Sequence, residues 1–356
     1  MTEHSMPAFR HSSIARPQST VRSSGFTLVE LMVAMAIASV LLVALAAMFV
    51  NTSAARGEMD KASRQIETGR YAMQILADEM AHAGYYGALA NPPSLPVTVT
   101  SLPDPCDFAV ATVQGSVAIP LQGYDGKPTS AALGISCIDA AAGYKPNTAV
   151  IVVKRADTSI AATAATAGFY NIQTSGCAGD AVRYILDSPS ATFNLHANGS
   201  PGCLPLTGAP AAKITPIYSR IFYISTCSNA SCTASGHDSI PTLKRIDLTP
   251  TAMSAPVALV DGIEDMQFEY GIDTAAADGT PDSYTATPSF ANWSNVMAVR
   301  AHILARNIDA TPGYTDVKTY TLGAATPYTP TGADVHYRRH VYSELVRLTN
   351  PSGRRE

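Results

Sequence analysis

Hydrophobic and polar positions divide the chain into stretches of different period. Residues 1–25 are polar, whereas Phe26 to Val50 is almost wholly apolar and carries one charge, Glu30. Leu31 to Val50 is a run of twenty residues without a charge. As a helix it rises about 30 Å, one hydrocarbon thickness. Met59, Ala62, Ile66, Gly69, Met73, Leu76, Met80 and Ala83 then recur at alternating intervals of three and four, with Asp60, Arg64, Glu67, Arg70 and Asp78 off the seam. That spacing predicts one helix from Phe26 to about Ala83. The small residues at 62, 69 and 83 favour burial of the seam under a globular head over a coiled-coil partner. Gly84 and Gly87 end the helix in a turn.

Beyond residue 85 the pattern changes to short runs of strand character. They are Ala149–Lys154, Val182–Leu186, Ile217–Ile224, Leu243–Leu248, Met266–Tyr270, Val296–Leu304 and Val341–Leu348. Turn signals stand at Asn91-Pro92-Pro93, Asp104-Pro105, Tyr124-Asp125-Gly126, Asn198-Gly199 and Asp278-Gly279. Met297, Val299, Ala301 and Ile303 alternate with Ala298, Arg300, His302 and Leu304, which predicts one buried and one wetter face. Residues 161–167, low in complexity, read as a flexible loop. The predicted organisation is 1–25 leader, 26–50 membrane helix, 51–84 amphipathic continuation and 85–356 β-rich head, an α+β protein.

Charge adds direction. The 24 basic and 28 acidic residues leave a net charge of −4, without the basic surplus a nucleic-acid binder shows. Arg10, Arg16 and Arg22 against Glu3 make the first 25 residues net +2, which predicts a cytoplasmic N-terminus and an exported head. The chain is therefore expected in the inner membrane, single-pass, with its head in the periplasm.

The apolar run fits a cleaved secretory signal ending at Ala44-Leu45-Ala46, a plain anchor, or a signal cut before the run so that the run is retained. Glu30 discriminates. A carboxylate in a membrane helix costs roughly 2.5–3.5 kcal/mol at the centre, and a plain signal or anchor gains nothing from it. Cutting between Gly25 and Phe26 would place a new amine four residues before Glu30, one helical turn away. Ser24-Gly25-Phe26-Thr27-Leu28-Val29-Glu30-Leu31-Met32-Val33-Ala34-Met35 resembles the processing site of type IV prepilins and type II secretion pseudopilins. The resemblance implies a pilin-like fold, cleavage after Gly25 by the prepilin peptidase, N-methylation of Phe26, and a role for Glu30 in docking and axial register within the filament.

Three further stretches resemble one subgroup, the PilW-type minor pilins of type IV pilus assembly: Arg70 with Ala83-Gly84-Tyr85-Tyr86-Gly87; Asp261-Gly262-Ile263-Glu264-Asp265-Met266 to Tyr270-Gly271-Ile272-Asp273; and, more loosely, Val346-Arg347-Leu348-Thr349-Asn350. What this implies is a minor pilin in a priming or tip complex. Its partners would be other minor pilins, the major pilin, the inner-membrane assembly platform and a tip adhesin. A type II secretion pseudopilin would carry the same N-terminus. A tip-exposed adhesin is a third reading, because residues 90–255 match no quoted pattern.

Candidate chemistry in the head is sparse. Cys106, Cys137, Cys177, Cys203, Cys227 and Cys232 all lie in the exported part, and an even count there favours disulfides. Six cysteines allow fifteen connectivities, among which the sequence does not choose; pairing of neighbours is the expectation. A metal site at Cys232 and His237 lacks a matching second half. Asp273, Asp278 and Asp282 stand in a Gly-containing loop that could supply oxygens to Ca²⁺, although alanines fill most EF-hand positions and a solvated turn is the plainer reading. The basic stretch from His336 to Asn350 reads as a solvated strand edge, with docking onto an acidic partner subunit as the alternative. No other cofactor is expected. No catalytic motif stands out, which leaves only a Ser-His-acid set assembled from distant residues, and no enzyme activity is expected.

Overall fold

One helix, α1 (Leu28–Ala81), opens the structure, and eleven strands follow it among the described residues. The computed structural model describes residues 25–87, 89, 101–139, 141–159, 162–198, 203 and 209–355. The leader through Ser24, the Asn91-Pro92-Pro93 turn, Ala161 and Gly199 lie outside the described residues. The chain divides into two units after Gly57, with α1 running through the division.

In the first unit α1 is apolar and uncovered. Leu28, Val33, Leu41 and Phe49 are all exposed, and the helix has the length and composition to cross a membrane. Its few polar side chains turn back onto its own backbone. The Ser39 hydroxyl donates to the Ala36 carbonyl and the Thr52 hydroxyl to that of Met48, so neither asks for water.

The second unit begins at Glu58 and holds the core. Short helices α2 (Val110–Gly115), α3 (Ser130–Leu133) and α4 (Thr349–Gly353) accompany two antiparallel sheets. In the larger, β1 (Leu121–Tyr124), β2 (Val150–Ala156), β5 (Ile214–Ser225), β3 (Tyr170–Thr174) and β4 (Tyr184–Asp187) follow one another, and β6 (Thr242–Asp247) joins β5 to β7 (Val257–Asp261). The smaller runs β11 (Arg339–Arg347), β10 (Val296–Arg306), β8 (Ile263–Ile272), β9 (Ser283–Thr285). Met73, Leu76 and Met80 of α1 pack with Phe222 and Leu243 of the larger sheet and with Val299, Ile303 and Val346 of the smaller.

Several sequence expectations shift here. The buried face of α1 comprises Gln65, Gly69, Ala72, Met73, Leu76, Glu79 and Met80, while Met59 and Ile66 are exposed. Gln65 takes the place assigned to Ile66 because it meets carbonyls rather than methyls: its amide donates to the Ala305 and Arg338 carbonyls, both at 2.9 Å. Gly69 is needed for contact, since a Cβ there would lie 2.2 Å from the Tyr342 ring. β1, β3, β7 and β9 escaped the pattern because they are short and some carry polar residues inward. Gln122 donates to the Pro103 carbonyl, and Gln173 to those of Leu195 and Ala212. In β10 the wetter face holds only at Arg300 and His302; Leu304 is buried under Tyr320 and Leu322 of the β10–β11 connection. The loop expected to be flexible is pinned: Ala162 exchanges two backbone hydrogen bonds with Ile214, and the Asn171 amide holds Thr166.

Candidate functional site

The residues expected to form the processing site stand at the start of α1. Gly25, Phe26 and Thr27 are exposed and non-helical, and nothing lies within 4 Å of a Cβ built on Gly25. The Gly25–Phe26 bond thus sits in accessible backbone just ahead of the first turn. Thr27 is the N-cap. Its hydroxyl accepts from the Glu30 amide at 3.2 Å, while Glu30 Oε2 accepts from the Thr27 amide at 2.9 Å and its hydroxyl at 3.0 Å. This reciprocal pattern is a capping box, and it places the carboxylate where the helix dipole favours it. Thr27-x-x-Glu30 carries that signature in the sequence, a threonine three residues before a glutamate. Glu30 therefore has a local partner inside one subunit.

The head is stapled by three disulfides, Cys106–Cys137, Cys177–Cys203 and Cys227–Cys232, the neighbour pairing among the fifteen. His237 is engaged elsewhere, its Nδ1 2.8 Å from the Asp238 carbonyl. Asp273, Asp278 and Asp282 each serve the backbone. Asp273 accepts from the Gly279 amide at 2.8 Å and pairs with Arg355 at 3.1 Å, Asp278 accepts from Thr280, and Asp282 accepts from Thr274 and Ala275. No group of three or more metal-ligating side chains forms among the described residues.

The basic C-terminal stretch is not uniformly solvated. The Arg339 side chain is fully buried, donating to both oxygens of Glu264 and to Asp316 at 3.1 Å. Burial would raise the Glu264 carboxyl, but Arg339, Lys145 and Arg306 overcome it and hold the group below its ordinary range. Burial pushes neighbouring Asp265 up to about 6. Gly262 precedes this pair at φ +80°, where a Cβ would lie 2.8 Å from the Arg306 carbonyl. A second buried carboxylate, Glu79 on α1, pairs with Arg155 of β2 and Arg220 of β5. Burial opposes its ionisation, and the two arginines prevail.

Distant parts of the chain that shared the resemblance meet. The Asn350 amide donates to the Ala83 carbonyl at 3.2 Å, Arg354 donates to that of Gly84 at 3.2 Å, and Arg355 reaches Asp273. A serine–histidine–carboxylate row also forms: the Ser343 hydroxyl lies 2.7 Å from His302 Nδ1, with Glu269 3.3 Å from Nε2. The ring nitrogens stand in the reverse order to a hydrolytic triad, and the row acts as a cross-strand pin.

Comparison with known families agrees with this layout. A prokaryotic N-terminal methylation motif matches residues 21–46, and type IV pilus-assembly protein W matches residues 221–350. No curated protein and no solved structure matches the chain. The two matches, over 21–46 and 221–350, are consistent with a PilW-type pilin and point to a type IV pilus-related structural protein. The methylation motif and the apolar helix fit membrane anchoring, and they imply handling by the prepilin peptidase and the pilus machinery.

Proposed function

We propose that this chain is a minor pilin that takes part in type IV pilus assembly as a member of a priming or tip complex with other minor pilins. The observation carrying the proposal is the pairing of a processing site at Gly25–Phe26 with a head matched to the pilus-assembly protein W family. The prepilin peptidase cuts after Gly25 and methylates Phe26, and the apolar part of α1 is retained. The head waits in the periplasm, which agrees with its three disulfides. The helix then leaves the bilayer for the filament core, guided by the assembly platform and the other pilins. Glu30 exchanges its bonds to Thr27 for the N-terminal amine of a neighbour, and that exchange sets the register, because an unpaired carboxylate among apolar helices is costly.

An in-frame deletion in the native host, scored for surface pili, twitching and exoprotein secretion, tests the assignment. Loss of pili with secretion intact is the expected result. Intact pili with failed secretion would transfer the chain to a type II secretion pseudopilus. Glu30→Ala is expected to leave cleavage intact and lower incorporation into filaments, read from sheared pili; normal incorporation would refute the register role.

A further inference from the structure

Strand β11 closes one end of the smaller sheet, and among the described residues only β10 pairs with it. The register is unbroken from Ala298 opposite Arg347 to Arg306 opposite Arg339. Leu348 donates to the Met297 carbonyl, and Asn307 to that of Arg338. The antiparallel alternation then turns the N–H and C=O of residues 340, 342, 344 and 346 toward β10, and those of Ser343 and Leu345 away from it. Those four backbone groups have no partner among the described residues. They open on a groove of about 780 Å³ whose other wall is the Arg70–Ala81 part of α1, with Tyr71 and Ile75 facing it. The β11 side spans Tyr342 to Arg347, six residues, the length of an average strand. Leu345 is 57% exposed and Tyr71 56%. No proline or bulge interrupts this edge, although natural proteins commonly blunt such edges.

We infer that this groove receives a β-strand from another pilin subunit, which joins the smaller sheet beside β11. The inference rests on the minor-pilin reading and names the form of the contact. Charge and sterics select the occupant. The lining carries two charges of each sign, Arg70 and Arg347 with Asp78 and Glu344, and Arg347 already donates to Ser352, so the groove suits an uncharged strand with alternate apolar side chains rather than an acidic or basic tail. A second copy fits poorly. β11 runs beside α1 in the same direction, with Arg338 at Glu58 and Asn350 at Ala83. Antiparallel pairing of two β11 edges would set the entries of the two chains at opposite ends of the joined sheet, and each copy would bring its own α1 wall into the other's groove.

The outward N–H of Leu345 gives a selective probe, because proline is tolerated on an edge strand where the lost N–H faced away from the ladder. Full-length, tagged protein would be co-expressed in the native host with its minor pilins and recovered from detergent. Leu345→Pro is expected to lower co-recovery about tenfold, through lost hydrogen bonds and blocked approach, while Leu345→Ala stays within about twofold. Undiminished co-recovery of a Leu345→Pro variant with unchanged melting temperature would overturn the inference. Should Leu345→Pro fail to fold, Leu345→Cys combined with cysteines scanned along the partner pilins' strands decides. Cross-links at every second partner position support strand addition; cross-links with no such period, none at all, or a homodimer overturn it. The deletion phenotype separates the two levels: pili lost on deletion but formed normally by Leu345→Pro would sink this contact and leave the minor-pilin assignment standing.

Discussion

Glu30 and Glu79 lie on the same helix and are satisfied in opposite ways. Glu30 is exposed at the first turn, and its partner is Thr27, three residues back. Glu79 is buried, and its partners are Arg155 and Arg220, which arrive from two strands far along the chain. The first arrangement survives in an isolated helix, whereas the second exists only once the head has folded. A carboxylate free of tertiary partners can exchange its local bonds for a neighbour's amine, which is what the register role proposed for Glu30 requires. Glu79 locks α1 to the larger sheet and has no such freedom.

Substitutions can break this contrast in order of depth. The largest effect is expected where the carboxylate is most buried. Arg339→Ala leaves Glu264 without its main partner and should destabilise the head by about 3–5 kcal/mol in urea unfolding. A loss under about 1 kcal/mol would mean that Lys145 and Arg306 suffice. Lys154 carries the next largest effect. It is buried with no carboxylate partner among the described residues, donating to Gln122 Oε1 and the Ile119 carbonyl, and burial lowers it to about 7. Its folded-state pKa lies below the unfolded value of 10.5, so the unfolded chain takes the proton first as pH falls. Head stability should therefore drop between about pH 10.5 and 7, by something on the order of 4 kcal/mol, and level off below. Lys154→Met should flatten that window, as read by unfolding midpoints across pH; an unchanged slope would assign it to other groups.

Glu79→Gln should cost about 2–3 kcal/mol, because Arg155 and Arg220 keep only a neutral acceptor, and the loss should appear in the unfolding of the head. Thr27→Ala is expected to be mildest. It removes the N-cap and about 1 kcal/mol from the first turn of α1, leaving the melting of the head unchanged. Amide exchange at Leu28–Leu31 in detergent would detect it, and a matching shift in head melting would refute the locality drawn here.

Local pattern made much of this protein legible. The apolar run, the charge within it and the glycines after Ala83 are read within a few residues of one another, and so is the Thr27–Glu30 cap. Seven of the eleven strands carry enough apolar character to be placed. β1 and β3 do not, because Gln122 and Gln173 point inward and are satisfied by carbonyls that only the fold brings near. The basic C-terminal stretch misleads for a related reason: charge implies solvent until a buried partner is known, and Glu264 lies 75 positions away from Arg339.

By itself, then, the sequence determined the long helix, its N-terminal methylation motif, its membrane-length apolar run and a β-rich head, because each depends on spacing within one element. The tertiary structure alone decided which cysteines pair, which charges are buried, that Gln65 rather than Ile66 faces the head, and that β11 is left as an open edge. Apart from the Cys227–Cys232 bridge, those outcomes depend on contacts across long separations in the chain, and neither periodicity nor composition carries information about which distant residue arrives.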